Sequence, residues 1–65
     1  MIFQFEYAQR GSTVAVDHYA GTDPEALEFC GTTVYDESAF LALKDRLTED
    51  GVFPDEIYFV DLDKS

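Results

Sequence analysis

From its first residue the chain alternates. Met1, Phe3, Phe5 and Tyr7 fall on one side, Gln4 and Glu6 on the other, the period of two that marks a half-buried strand. Arg10, Gly11 and Ser12 interrupt the pattern, and a glycine there supplies the backbone angle that a tight reversal needs. Residues 13–20, TVAVDHYA, resume it, with Val14, Val16 and His18 on one face and Ala15, Asp17 and Tyr19 on the other. A hairpin of residues 2–9 and 13–20 is therefore expected. Gly21 to Pro24 ends it. For residues 25–30 two outcomes stay open: a short helix capped by Asp23 with Pro24 at its first position, or the start of a third strand over 28–35, EFCGTTVY. Thr32, Thr33, Val34 and Tyr35 favour extended backbone, so a third strand over part of this stretch is preferred.

The period then changes from two to 3.6. Phe40, Leu43 and Leu47 recur at i, i+3 and i+7, with Ala39 beside them, the apolar stripe of a helix near 37–50 that must cover a sheet. Asp36 is placed to be its N-cap, and Glu37 in the first turn suits the helix dipole. Gly51 and Pro54 are natural stop signals. Period two returns at 56–62, EIYFVDL, with Ile57 and Phe59 on one face and Tyr58, Val60 and Leu62 on the other. Two apolar faces point to a central strand or to one face covered by a partner. The expected fold is one α+β domain over residues 1–65: an antiparallel sheet with one main helix packed on it. Its expected core is Phe3, Phe5, Tyr7, Val14, Val16, Phe40, Leu43, Leu47, Ile57 and Phe59.

Composition sharpens this. A chain of 65 residues buries only about 60% of its unfolded surface. Its six Phe and four Tyr bury much area per residue and so oppose disorder despite the charge. Fourteen acids against four Lys and Arg leave a net charge of −10, which repels nucleic acid and attracts basic surfaces. Cys30 is the single cysteine, so no internal disulfide forms and a reducing compartment is expected. With no signal-peptide pattern at the start and no apolar run of spanning length, the chain reads as a cytoplasmic protein with no membrane role.

Catalytic chemistry finds little support. His18 is the only histidine and has no flanking nucleophile signature; it reads as a strand residue with a partly exposed ring, and Cys30 as a small buried apolar group. DLDKS at the end resembles part of a calcium loop but lacks its glycine and bidentate glutamate. No zinc constellation or phosphate loop is present. No enzymatic activity, metal or cofactor is expected.

The charge pattern remains. Asp17, Asp23, Glu25, Glu28, Asp36 and Glu37 form one run without Lys or Arg, and Glu49, Asp50, Asp55, Glu56, Asp61 and Asp63 form a second. A surface shaped for solubility alone mixes signs. On a strand, Asp61 and Asp63 would project about 6.6 Å apart. Asp45 and Glu49 would stand about 6 Å apart along a helix. Both spacings are near that of successive phosphates. Asp45, Glu49, Asp50, Asp55, Glu56, Asp61 and Asp63 are thus the expected partner-binding residues, flanking the helix end and the last strand and converging on one face.

In size, acidity and scarcity of cysteine the whole chain resembles the small phage-encoded DNA mimics, particularly anti-CRISPR proteins. The resemblance implies binding to a basic DNA-handling groove, such as that of a type I Cascade complex of the I-C subtype, within the host cytoplasm, with target DNA blocked. It implies no fold and singles out no individual acid. Two other readings stay open: an acidic partner of one particular protein, such as an antitoxin or accessory subunit, and a halophilic domain whose acids only solvate its surface.

Overall fold

The computed structural model describes residues 1–49 and 55–64. Strands β1 (Ile2–Arg10) and β2 (Thr13–Gly21) pair antiparallel, with Arg10 opposite Thr13. The two residues between them are Gly11, at φ +65°, and Ser12. A glycine with positive φ at the first of two loop positions suits a II′ hairpin turn, whose twist matches the strands it joins. β3 (Glu28–Asp36) pairs antiparallel with β2, settling the open choice at residues 25–30 in favour of a strand from Glu28 onward. Ahead of it the chain only turns: the N–H of Ala26 donates to Asp23 O and that of Glu25 to Asp23 Oδ1, each at 3.0 Å.

The β2–β3 register slips once. His18 faces Gly31 but Tyr19 faces Phe29, which leaves Cys30 as the bulge residue. Gly31 sits at φ +128° with open space where a Cβ would stand, so the backbone angle and not crowding calls for glycine. Cys30, expected to be buried, is exposed because the bulge takes it out of the pleat.

Helix α1 (Glu37–Leu47) follows directly. Asp36 occupies the N-cap position with extended backbone but makes no side-chain cap bond; the N–H of Glu37 donates instead to Ser12 O at 3.0 Å, docking the helix start on the hairpin turn. The helix stops at Leu47, short of the expected 50, and Thr48 Oγ1 donates to Lys44 O at 2.8 Å. The stop signals Gly51 and Pro54 lie outside the described residues.

β4 (Glu56–Asp61) completes a four-stranded sheet in the order β3-β2-β1-β4. The α+β class is as expected, with three strands antiparallel. β4, however, runs parallel to β1, Ile2 opposite Glu56 and Tyr7 opposite Asp61. A helical crossover is the usual way to return a chain to the end from which it started, and the N–H of Glu56 meets Met1 O there at 3.3 Å. β4 is therefore an edge strand, not a central one. Its second apolar face has another explanation. A 3-10 turn, Leu62–Lys64, takes the place of the strand's expected last residue.

One face of the sheet carries the core. Val14, Val16 and Phe40 are buried, with Phe5, Tyr7, Tyr35 and Phe59 packed against them. Phe40 stands 4.9 Å from the Tyr7 ring and 6.1 Å from Phe59, centroid to centroid. Phe5 stacks on Phe59 at 5.1 Å. The other expected core residues, Phe3, Leu43, Leu47 and Ile57, are only half-buried, since one short helix cannot roof four strands. Phe40→Ala should cost about 3–5 kcal/mol, and Leu43→Ala about 1–2 kcal/mol. Urea unfolding followed by far-ultraviolet circular dichroism measures both; a larger loss at Leu43 than at Phe40 would show that the helix seats on a different face.

Candidate functional site: acidic ends and an open sheet face

The expected binding residues do not converge. Asp45 is exposed on α1 and Glu49 just beyond it. Asp55 is exposed 3.5 Å from the Met1 amino group, and Glu56 opens β4 opposite Ile2. Asp50 lies outside the described residues. Asp61 and Asp63 sit at the other end of β4. Five residue steps separate Glu56 from Asp61, roughly 16 Å. Acids at the two ends of a strand cannot crowd one side of the molecule.

Asp61 and Asp63 have a structural task instead. Asp61 Oδ1 accepts the N–H of Asp63 at 2.9 Å, which turns the chain out of the strand. Asp63 accepts the N–H of Gln9 at 2.8 Å and pairs with Arg10 Nη1 at 3.4 Å. Together they latch the end of β4 to the end of β1. The even projection of these two carboxylates from one strand is thus not formed. Beside them is a hollow of about 130 Å³ floored by Tyr7, Val14 and Phe40. Lys44 lines it, its Nζ 3.4 Å from Tyr7 Oη and over the Tyr7 and Phe59 rings at 5.3 and 5.9 Å. That cation is turned inward.

Among the described residues no helix lies over the other face of the sheet; Ile2 and Ala8 are buried on it, but most of its remaining side chains are partly or largely open. Cross-strand registers place Phe29, Tyr19, Gln4 and Tyr58 in one row, and Thr32, Asp17, Glu6 and Val60 in the next. Phe29, Val34, Tyr58 and Val60 are 58%, 64%, 51% and 39% exposed, well beyond the isolated apolar side chain that any surface tolerates. Tyr19 meets Phe29 edge-on at 5.5 Å. Glu6 and Asp17 stand directly opposite each other, and Thr32 Oγ1 donates to Asp17 Oδ1 at 2.6 Å. Neither carboxylate has an ion pair among the described residues. Sequence reasoning left these two out of the site, although a two-residue loop pairing 10 with 13 also pairs 6 with 17.

The sequence's two candidate catalytic side chains, His18 and Cys30, lie apart in burial and partners. His18 is half-buried on the helix side, edge-on to Phe5 at 5.1 Å, with its Nε2 buried and unpartnered. Cys30 Sγ donates to Glu28 O at 3.4 Å. Among the described residues no group of three or more His, Cys, Asp or Glu could hold a metal, and no helix is long and apolar enough to cross a membrane. No family model matches the chain, and no match was found among curated proteins or solved structures.

The open face has an electrostatic signature. Partial desolvation, then the Glu6 and Asp17 carboxylates, raise the Tyr19 phenol above its usual 10.0. A raised phenol favours the neutral form in the fold, so its contribution is complete below pH about 10 and is lost as pH rises through the folded value. The Tyr19 midpoint in a ring-resolved NMR titration should lie above that of tyrosine in an unstructured peptide. Glu6→Gln with Asp17→Asn should lower its midpoint only part of the way, because desolvation remains. No change in midpoint would mean the two carboxylates do not act on it.

Proposed function

We propose that the chain is a non-enzymatic, acidic binding module that occupies a basic, nucleic-acid-handling surface in the manner of a DNA mimic. The resemblance to anti-CRISPR proteins makes the DNA-binding groove of a CRISPR-Cas effector complex the partner class, with block of target DNA as the outcome. The single cysteine fits a reducing, cytoplasmic setting. One observation carries the reading: the negative charge is left almost uncompensated. Against a net charge of −10, only two ion pairs form among the described residues, at Asp55 and Asp63. Lys44 is spent on aromatic rings inside the fold. Such a surface steers toward a basic one over distances of about 8–10 Å at ordinary ionic strength.

A second reading is favoured by a different observation. The exposed apolar side chains of the open face offer contacts that phosphate mimicry does not use, which suits an acidic partner of one particular protein, such as an antitoxin or accessory subunit.

Competition separates them. Duplex DNA titrated against this protein on an isolated Cascade-type effector should displace it, and affinity should fall steeply as salt rises. Any one of Asp45→Asn, Glu49→Gln, Asp55→Asn or Glu56→Gln should change affinity less than about fivefold, while all four together should slow association and reduce affinity by roughly tenfold through lost long-range attraction, with the fold intact. Simultaneous binding of DNA and this protein, without mutual weakening, would remove the mimic reading. A fold that requires molar salt would favour the halophilic one.

A further inference from the structure

The open face joins two features that do not belong together on a surface meant only for water. One is its row of rings, exposed Phe29 and Tyr58 with half-buried Tyr19 between them, continued by exposed Val60 and Val34. The other is the Glu6–Asp17 pair in the next row. Like charges directly opposite on neighbouring strands destabilise a sheet. The cation that shares this face, Arg10, does not relieve them: its Nη1 is held by Gln9 O at 2.8 Å and lies 3.4 Å from Asp63. The apolar area calls for a cover and the carboxylates call for a cation.

We infer that this face is the surface through which the protein meets its partner, and that the occupant is an arginine-bearing segment of a basic protein, its side chain lying over Gln4 between Tyr19 and Tyr58 and its guanidinium reaching Glu6 and Asp17. The inference rests on the reading of the chain as a module for a basic partner and adds which surface acts and which cation it takes. Tyr19 and Tyr58 flank Gln4 from the strands on either side, about 9.5 Å apart at the spacing of strands. A planar group laid over Gln4 has an aromatic ring within reach on each side, within the roughly 6 Å range of a cation–π contact. Two adjacent carboxylates match the several N–H donors of a guanidinium better than the point charge of an ammonium, and tyrosine faces attract it further. Nucleic acid is repelled by the same carboxylates. A second copy of this chain would set Glu6 and Asp17 against acids of its own kind.

The test uses the intact protein and two synthetic peptides of glycine and serine, one carrying arginine and the other lysine at the same places. Amide NMR shifts in dilute buffer should map the arginine peptide to Gln4, Glu6, Asp17, Tyr19 and Tyr58. The arginine peptide should bind about two- to fivefold more tightly than the lysine peptide. Glu6→Gln with Asp17→Asn should weaken arginine-peptide binding by roughly tenfold, and Tyr58→Ala should abolish the preference for arginine. Asp45→Asn with Glu49→Gln should change that binding less than about twofold. Removing the like-charge pair should leave thermal stability equal or higher, so weakened binding cannot be assigned to unfolding. Shifts confined to the helix end and the start of β4, insensitive to Glu6 and Asp17, would overturn this surface while leaving the acidic-module reading in place. Failure of both peptides to bind, even at low salt, would overturn both.

Discussion

The register of the first hairpin is the constraint on which the rest of the molecule depends. Arg10 must face Thr13 across Gly11 and Ser12. With that fixed, Tyr7 lies beside Val16 and Phe5 beside His18 on one side, and Glu6 beside Asp17 on the other. A slip of one residue would invert every side chain of one strand, exposing Val14 and Val16 and turning Asp17 and Tyr19 into the core. The same turn also seats the helix, since Ser12 O receives the first helical N–H. Phe40 then arrives over Tyr7 and Tyr35 because its distance along the helix from that anchor is set. The core is thus built outward from a two-residue loop, and the helix contributes one fully buried side chain to a surface the hairpin has already arranged.

Much of this was legible in the sequence, for a definite reason. Alternation in residues 1–9 and 13–20 and the stripe of Phe40, Leu43 and Leu47 are local patterns, and a local pattern needs no knowledge of partners in space. The features that were not legible depend on distant contacts. Whether β4 runs parallel or antiparallel is decided by where the helix delivers the chain, not by EIYFVDL itself. Its doubly apolar character, open to a central placement, reflects instead an edge strand whose outer side chains Tyr58 and Val60 lie in the open. The bulge at Cys30 comes from the mismatch between β2 and β3 around Gly31, and no period within residues 28–35 announces it.

The acids show the same division. Counting carboxylates along the chain locates charge but not its use. Asp61 and Asp63 look like any other members of an acidic run, yet they accept backbone N–H groups and tie two strand ends together. Asp45, Glu49, Asp55 and Glu56 remain exposed. Glu6 stands outside both cation-free runs, and Asp17 belongs to the one given less weight, so neither drew notice; pairing sets them directly opposite each other on neighbouring strands. A linear tally gives weight to runs, whereas electrostatic energy depends on distance and shielding, and strand pairing brings together residues that the tally keeps apart.

The two faces of one sheet then differ in what they hold. A domain of this size has little stability to spare, and its helix-side face gathers five of the ten aromatic rings: Phe5, Tyr7, Tyr35, Phe40 and Phe59 form a connected cluster. The opposite face keeps Phe29 and Tyr58 largely in water, with Tyr19 half-buried, and sets two carboxylates side by side without an ion pair among the described residues. Replacing Glu6 with a lysine would turn repulsion across the pair into attraction and leave the Thr32–Asp17 hydrogen bond in place. Threonine opposite Asp17 relieves the pair only by one hydrogen bond. An arrangement so easily improved for the folded monomer is understandable if the carboxylates are completed by another molecule, whose cation then supplies what the hairpin leaves unpaired.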